Sequence, residues 1–141
     1  MLYWLSKHGF ECARVDHTGI DLIARNPDTN ELMGISVTSR SRDLRHADES
    51  ITLAVDIFPK AERACRAFGC VPYFAIVADV RDTIRVFLMR TKHLLRVCPL
   101  RERGAYWKIS AKHLDRHYSD PEIMIFEFAT KTHRWWGRQS P

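Results

Sequence analysis

Two short runs of β-branched and aliphatic residues set the strongest constraint on this chain: residues 18–25 (TGIDLIAR) and 32–40 (LMGISVTSR). The segment between them, residues 26–31 (NPDTNE), carries the Asn, Pro and Asp that favour turns, so the pair reads as a β-hairpin. Its first strand holds a carboxylate, Asp21, between Ile20 and Leu22. An unpaired buried carboxylate is costly, so Asp21 requires a metal, a hydrogen-bond partner or solvent at a cleft. A strand-end Asp that takes backbone amides meets this requirement as well as a catalytic one does.

The rest of the chain reads as mixed α/β. A short helix over residues 1–7 ends at His8-Gly9, where Gly can stop a helix, and residues 10–15 form a strand. Asp16 to Gly19 make a polar turn into the hairpin. After Arg40 comes a polar loop, residues 41–50, with Arg42, Arg45, His46, Asp48 and Glu49. Ile51, Leu53, Val55 and Ile57 alternate with polar or small residues, as in an extended segment. Asp56 is placed to cap the following helix, with Pro59 in its first turn. Phe58, Ala61, Ala64, Cys65 and Phe68 recur at helical spacing up to Gly69, opposite a charged face with Lys60, Glu62, Arg63 and Arg66. Residues 73–78 (YFAIVA) form a strand covered on both faces. Arg81-Asp82 turn the chain into a further strand over residues 83–89. Residues 93–97 suit a short helix or an irregular segment, 105–109 a strand, 111–118 a helix capped by Ser110, and 122–128 a closing strand. A basic aromatic tail follows, residues 133–138 (HRWWGR).

The chain of 141 residues is expected to form a single domain, with a core over residues 1–90 and a C-terminal αβ extension over 91–141. Hydrophobic residues make up 45% and charged residues 28%, a globular rather than a disordered balance. The net charge of +5 suits a polyanionic partner without requiring one. Cys12, Cys65, Cys70 and Cys98 form no C-x-x-C pair and read as free thiols of a reducing compartment, so a cytoplasmic location is expected. No stretch approaches the roughly 18 apolar residues of a membrane span.

The G-x-D-h-h-A pattern at Gly19-Ile20-Asp21-Leu22-Ile23-Ala24, together with the element order, resembles the PD-(D/E)XK nuclease superfamily, which includes Holliday-junction resolvases and many restriction endonucleases. The resemblance covers roughly residues 1–90. It implies a restriction-endonuclease-like core of helix, three strands, helix and two strands on a central mixed sheet. It also implies Mg2+ as cofactor, DNA as partner and phosphodiester hydrolysis as the reaction. Asp21 falls at the catalytic Asp, and Ser36-Val37-Thr38 falls where the E-x-K tripeptide belongs. In active members the Asp, the Glu and the backbone carbonyl between Glu and Lys bind the metal. Here that carbonyl is Val37's, Ser36 is at best a neutral ligand, and Thr38 brings no positive charge. Loss of one such electrostatic stabiliser costs on the order of 100- to 1000-fold in rate.

Some members carry Ser for the Glu and take a carboxylate from a neighbouring helix or loop. Glu49 and Glu62 are the candidates here, with Lys60 the candidate for a displaced Lys, although Lys60 and Glu62 also fit a solvated helix face. Glu31 lies in the hairpin turn, at the wrong end of the strand. Arg40, Arg42 and Arg45, with Lys60, would contact phosphates beside Asp21, or form a solvated loop. His113 and His117, four apart on a helix, lack an evident third metal ligand and read as surface histidines. Trp135 and Trp136 suit packing over the sheet or a partner subunit, or stacking on bases.

Three functions follow as expectations. The first is a DNA-associated nuclease-fold domain with an eroded divalent-metal site, weakly active or inactive. The second is a Mg2+-dependent endonuclease with a relocated carboxylate. The third is a protein-interaction module on the same fold, whose N-terminal helix or aromatic tail could mark a homodimer contact.

Overall fold

A computed structural model describes residues 1–42, 50–80 and 82–130. Along the chain run α1 (Leu2–Lys7), β1 (Glu11–His17), β2 (Ile20–Arg25), β3 (Leu32–Arg42), β4 (Ile51–Ala54), α2 (Ile57–Phe68), β5 (Val71–Val80), β6 (Thr83–Arg90), α3 (Thr91–Val97), β7 (Gly104–Trp107), α4 (Ala111–Tyr118) and β8 (Met124–Ala129). The main sheet has the order β1-β2-β3-β5-β6-β8. Its β3–β5 pair is parallel, joined through α2, and its other pairs are antiparallel. The expected mixed sheet is therefore present, and its strands follow the helix, three-strand, helix, two-strand order, with β4 inserted before α2 outside that sheet.

One face of the sheet is covered by α2 and the C-terminal elements. There Phe58 packs against Phe74 with ring centroids 5.0 Å apart, and Phe87 against Trp107 at 5.3 Å. Burying side chains of this size is worth roughly 1.5–3 kcal/mol each. On the other face α1 lies over Leu22, Met33, Ile35, Ala75 and Leu88 through Leu5. Trp4 stacks on Phe128 at 4.6 Å, which fixes α1 to the edge strand β8.

Several boundaries differ from those expected. The alternating segment after residue 50 is extended only over Ile51–Ala54, and Ile57 already belongs to α2. Asp56 precedes that helix without a side-chain capping bond, because its carboxylate binds the Lys60 ammonium one turn on instead. Phe68 is exposed rather than core, and its ring meets His17 edge-on. The β7 strand does not join the main sheet but pairs with β4 in a separate two-stranded sheet. Four-residue alternation identifies a strand but not the strand that accepts it, since that pairing depends on distant parts of the chain. The aromatic tail, residues 133–138, lies outside the described residues.

A candidate cleft between the diverging hairpin strands

The β2–β3 ladder runs from Arg25↔Leu32 to Leu22↔Ile35 and stops there. Beyond that pair, side chains replace backbone pairing. The Asp21 carboxylate Oδ2 accepts the Val37 N–H at 2.7 Å, and the Ser36 hydroxyl donates to the Gly19 carbonyl. The strands thus part at Asp21, which is solvent-exposed, and the gap between them opens a cleft of about 180 Å³. Asp21, Ser36, Val37, Thr38 and Lys60 all line it.

The proximity of α2 to this gap follows from two glycines. Gly19 has φ +108°, and a Cβ there would collide with the Lys60 carbonyl and lie 2.9 Å from the Ala61 nitrogen. The turn before β2 can therefore rest directly on the α2 backbone only if residue 19 is Gly. Gly34 similarly leaves room for the Cys65 and Cys70 sulfurs, each 2.5 Å from where its Cβ would be. These two contacts seat α2 so that Lys60 turns into the cleft. Its Nζ lies 2.6 Å from Asp56 Oδ2. That ammonium holds the Asp56 carboxyl below the usual carboxylate range, first through the hydrogen bond and then through its charge.

The other sequence candidates fall as follows. Ser36 is buried, and its hydroxyl is committed to Gly19. Thr38 is half-buried on β3 opposite Ile76. Arg40 is exposed beyond Thr38 and donates to the Ser39 carbonyl at 2.8 Å. The Arg42 backbone closes β3 opposite Val80. Glu49, Arg45 and His46 lie outside the described residues. Glu62 is exposed on α2 and is not among the residues that line the cleft. Glu31 is tied to Tyr73 and Arg90, with Arg90 Nη2 2.5 Å from its Oε2 and the Tyr73 hydroxyl 2.7 Å from its Oε1. Through them it clamps the opposite end of the sheet.

Two readings need correction. His117 is not a surface histidine: it is 5% exposed, its ring lies 3.9 Å from that of Trp107 and nearly parallel to it, and its Nε2 donates to the Lys108 carbonyl at 3.0 Å. Imidazole has no fixed side in a helical pattern, so spacing alone could not distinguish burial from exposure. Lys60 is not simply part of a solvated face, since its side chain, 43% exposed, also lines the cleft. The sequence signal was available in Asp56 and Lys60, which stand four residues apart and therefore share a helix face.

The donor set among the described residues does not fit a tightly held divalent ion. Mg2+ favours several oxygen ligands, including carboxylates. The cleft offers one carboxylate, already bonded to an amide, and a cation in Lys60. Among the described residues no three His, Cys, Asp or Glu side chains group as metal ligands. No described helix is long and apolar enough to cross a membrane.

No protein-family model matches the chain, and no curated protein matches it either. A solved structure does: the Holliday junction resolvase Hjc of Archaeoglobus fulgidus, an archaeal hyperthermophile. It is similar over 76% of this chain and 83% of its own, with 19% identity and a TM-score of 0.55. The likeness bears on the fold, which is restriction-endonuclease-like.

Proposed function

We propose that this chain is a DNA-associated domain of nuclease fold whose divalent-metal site is eroded, so that it binds DNA and hydrolyses it weakly or not at all. The observation that carries this reading is the state of the Asp21 cleft. The carboxylate serves the Val37 amide, Ser36 serves the Gly19 carbonyl, and Lys60 adds positive charge where a metal would need further oxygens. DNA as partner is supported by the resolvase-like fold and by Arg40 and Arg42 at the end of β3, close in sequence to Arg45. Cations at a cleft of this kind hold phosphates by charge, independently of base sequence.

A second reading is favoured by one observation. Lys60 lines the cleft and supplies a cation near the position left without one by Thr38. An active endonuclease would then lack only a second carboxylate, for which Glu49 is the candidate.

The deciding experiment incubates plasmid, linear duplex and four-way-junction DNA with the protein in Mg2+ or Mn2+, beside an Asp21→Ala control. Cleavage no greater than the control, with salt-sensitive binding in a gel-shift series, supports the eroded-site reading. Asp21-dependent cleavage establishes the second reading. The absence of binding even at low salt refutes both and leaves a protein-interaction role on the same fold.

A further inference from the structure

A cavity larger than the Asp21 cleft lies away from it. It has a volume of about 430 Å³ and is bounded by the end of α3, by β7 and by α4. Its lining is rich in cations, with Arg101, Lys108 and Arg116. Among the described residues, none of these three cations is ion-paired with a carboxylate. The one carboxylate on the lining, Asp120, is engaged at 2.8 Å by His93. His113 also lines the cavity, and its imidazole is pushed below its ordinary range, first by burial and then by Lys108, Arg116 and Lys112. Three cations therefore face a single lining carboxylate, which is already engaged by His93.

A second, independent feature is Trp107. It is fully buried and lines the same cavity, and its indole Nε1 has no hydrogen-bond partner. A buried N–H donor left unsatisfied is expensive, on the order of 1–3 kcal/mol, and invites an acceptor from outside the chain. The neighbouring His117 cannot satisfy it through Nε2, which is committed to the Lys108 carbonyl. The lining is also partly apolar, with Val97, Pro99 and Tyr106. Space beyond that needed for an inorganic anion, together with cations and apolar side chains on one lining, fits an organic phosphate.

We propose that this cavity binds the terminal phosphate of a nucleotide, either free or at the end of a nucleic-acid strand, with Arg101, Lys108 and Arg116 as counter-charges. The sugar and base lie toward Val97, Pro99 and Tyr106, and the Trp107 indole N–H gains an acceptor. This site is separate from the Asp21 cleft and does not depend on that cleft's function.

The test is a titration of the 15N-labelled full chain followed through the assigned Trp107 indole resonance. The probes are deoxyadenosine 5′-monophosphate, deoxyadenosine, inorganic phosphate, and one short single-stranded oligonucleotide prepared with a 5′-phosphate and with a 5′-hydroxyl. The expected result is a saturable shift with the monophosphate or the phosphorylated strand, and none with deoxyadenosine or the hydroxyl strand. Tighter binding of the phosphorylated strand identifies a strand end as the source, and tighter binding of the mononucleotide identifies a free nucleotide. Arg116→Ala and Arg101→Ala, each with an otherwise unchanged spectrum, weaken binding about tenfold, the loss of one charge-assisted bond. Lys60→Ala leaves the Trp107 shift with the mononucleotide unchanged, which separates this site from the DNA reading of the cleft. The proposal is overturned if no phosphate compound moves the Trp107 resonance, if the hydroxyl strand moves it equally, or if inorganic phosphate binds as tightly as the nucleotides. It is also overturned if both arginine variants bind like the parent.

Discussion

The Asp21 carboxylate accepts the backbone N–H of Val37 at 2.7 Å, with Asp21 one residue and Val37 two residues beyond the last paired rung of the β2–β3 ladder, Leu22↔Ile35. The side chain therefore takes over a task that a backbone carbonyl performs in the rest of the hairpin. It stabilises the point at which the strands separate, and this separation makes the cleft.

Replacing the acceptor tests that structural role. Asp21→Asn retains an oxygen for the Val37 amide and is expected to unfold in urea at nearly the parental midpoint. Asp21→Ala removes the oxygen and should lose about 1 kcal/mol, the worth of one hydrogen bond at an exposed site. Equal midpoints for all three proteins would show that the bond contributes nothing. Added Mg2+ should not separate the Asn variant from the parent in thermal melts, since the described donors do not make a tight site.

Gly19 carries the larger structural demand. Its φ of +108° is strained for any L side chain, and a Cβ would strike the α2 backbone at Lys60 and Ala61. Backbone carbonyls of a helix cannot rotate away as a flexible side chain would. Gly19→Ala should cost roughly 3 kcal/mol through strain and overpacking. It should also draw Lys60 away from the cleft and weaken DNA binding beyond what the loss of stability explains. Chemical denaturation and gel shifts on the same preparation would measure the two effects separately.

The hairpin and its carboxylate were legible in the sequence because both are local: alternation, turn residues and a polar residue among aliphatics fall within a short window. The order of elements was legible for the same reason. The entry of Lys60 into the cleft depends on how α2 sits over Gly19 and Gly34, a tertiary contact with no periodic trace. Asp56 reads in the sequence as a helix cap, but its carboxylate binds the Lys60 ammonium, where opposite full charges add to the hydrogen bond. The basic cavity was illegible for a different reason. Arg101 precedes β7, Lys108 follows it and Arg116 lies on α4, and only the packing of α4 against β7, seen in the Trp107–His117 stack, brings them to one cavity.

On the acid side, His117 controls a loss of stability. Burial against Trp107 pushes its imidazole below the ordinary range, outweighing the opposing effect of its bond to the Lys108 carbonyl; the nearby His113 lowers it further and Asp120 raises it. The folded state favours the neutral ring more than the unfolded state does. Its contribution is therefore complete above the unfolded value of about 6.5 and is lost as the pH falls through the lower folded value. Thermal melts from neutral to mildly acidic pH should show a decline that His117→Phe, which retains the stack, reduces. A decline of equal size in the variant would assign it to other groups.

On the alkaline side the controlling group is Cys65. Burial pushes its thiol up to about 12, and the neighbouring Cys70 and then Glu62 act in the same direction. A pKa raised on folding stabilises the native state fully below the unfolded value of about 9 and progressively less as the pH rises toward the folded one. Stability should thus fall between about pH 9 and 12 as unfolded chains gain a thiolate that the native site refuses. Tyr73 and Tyr118, both raised first by burial, add to this fall near its upper end. Cys65→Ala should make the first part of the decline shallower in urea titrations at stepped pH, even if its packing loss lowers stability at neutrality. The same burial predicts that Cys65 reacts with iodoacetamide only on unfolding. Rapid alkylation of native Cys65 near neutral pH would refute the elevated pKa and the alkaline prediction together.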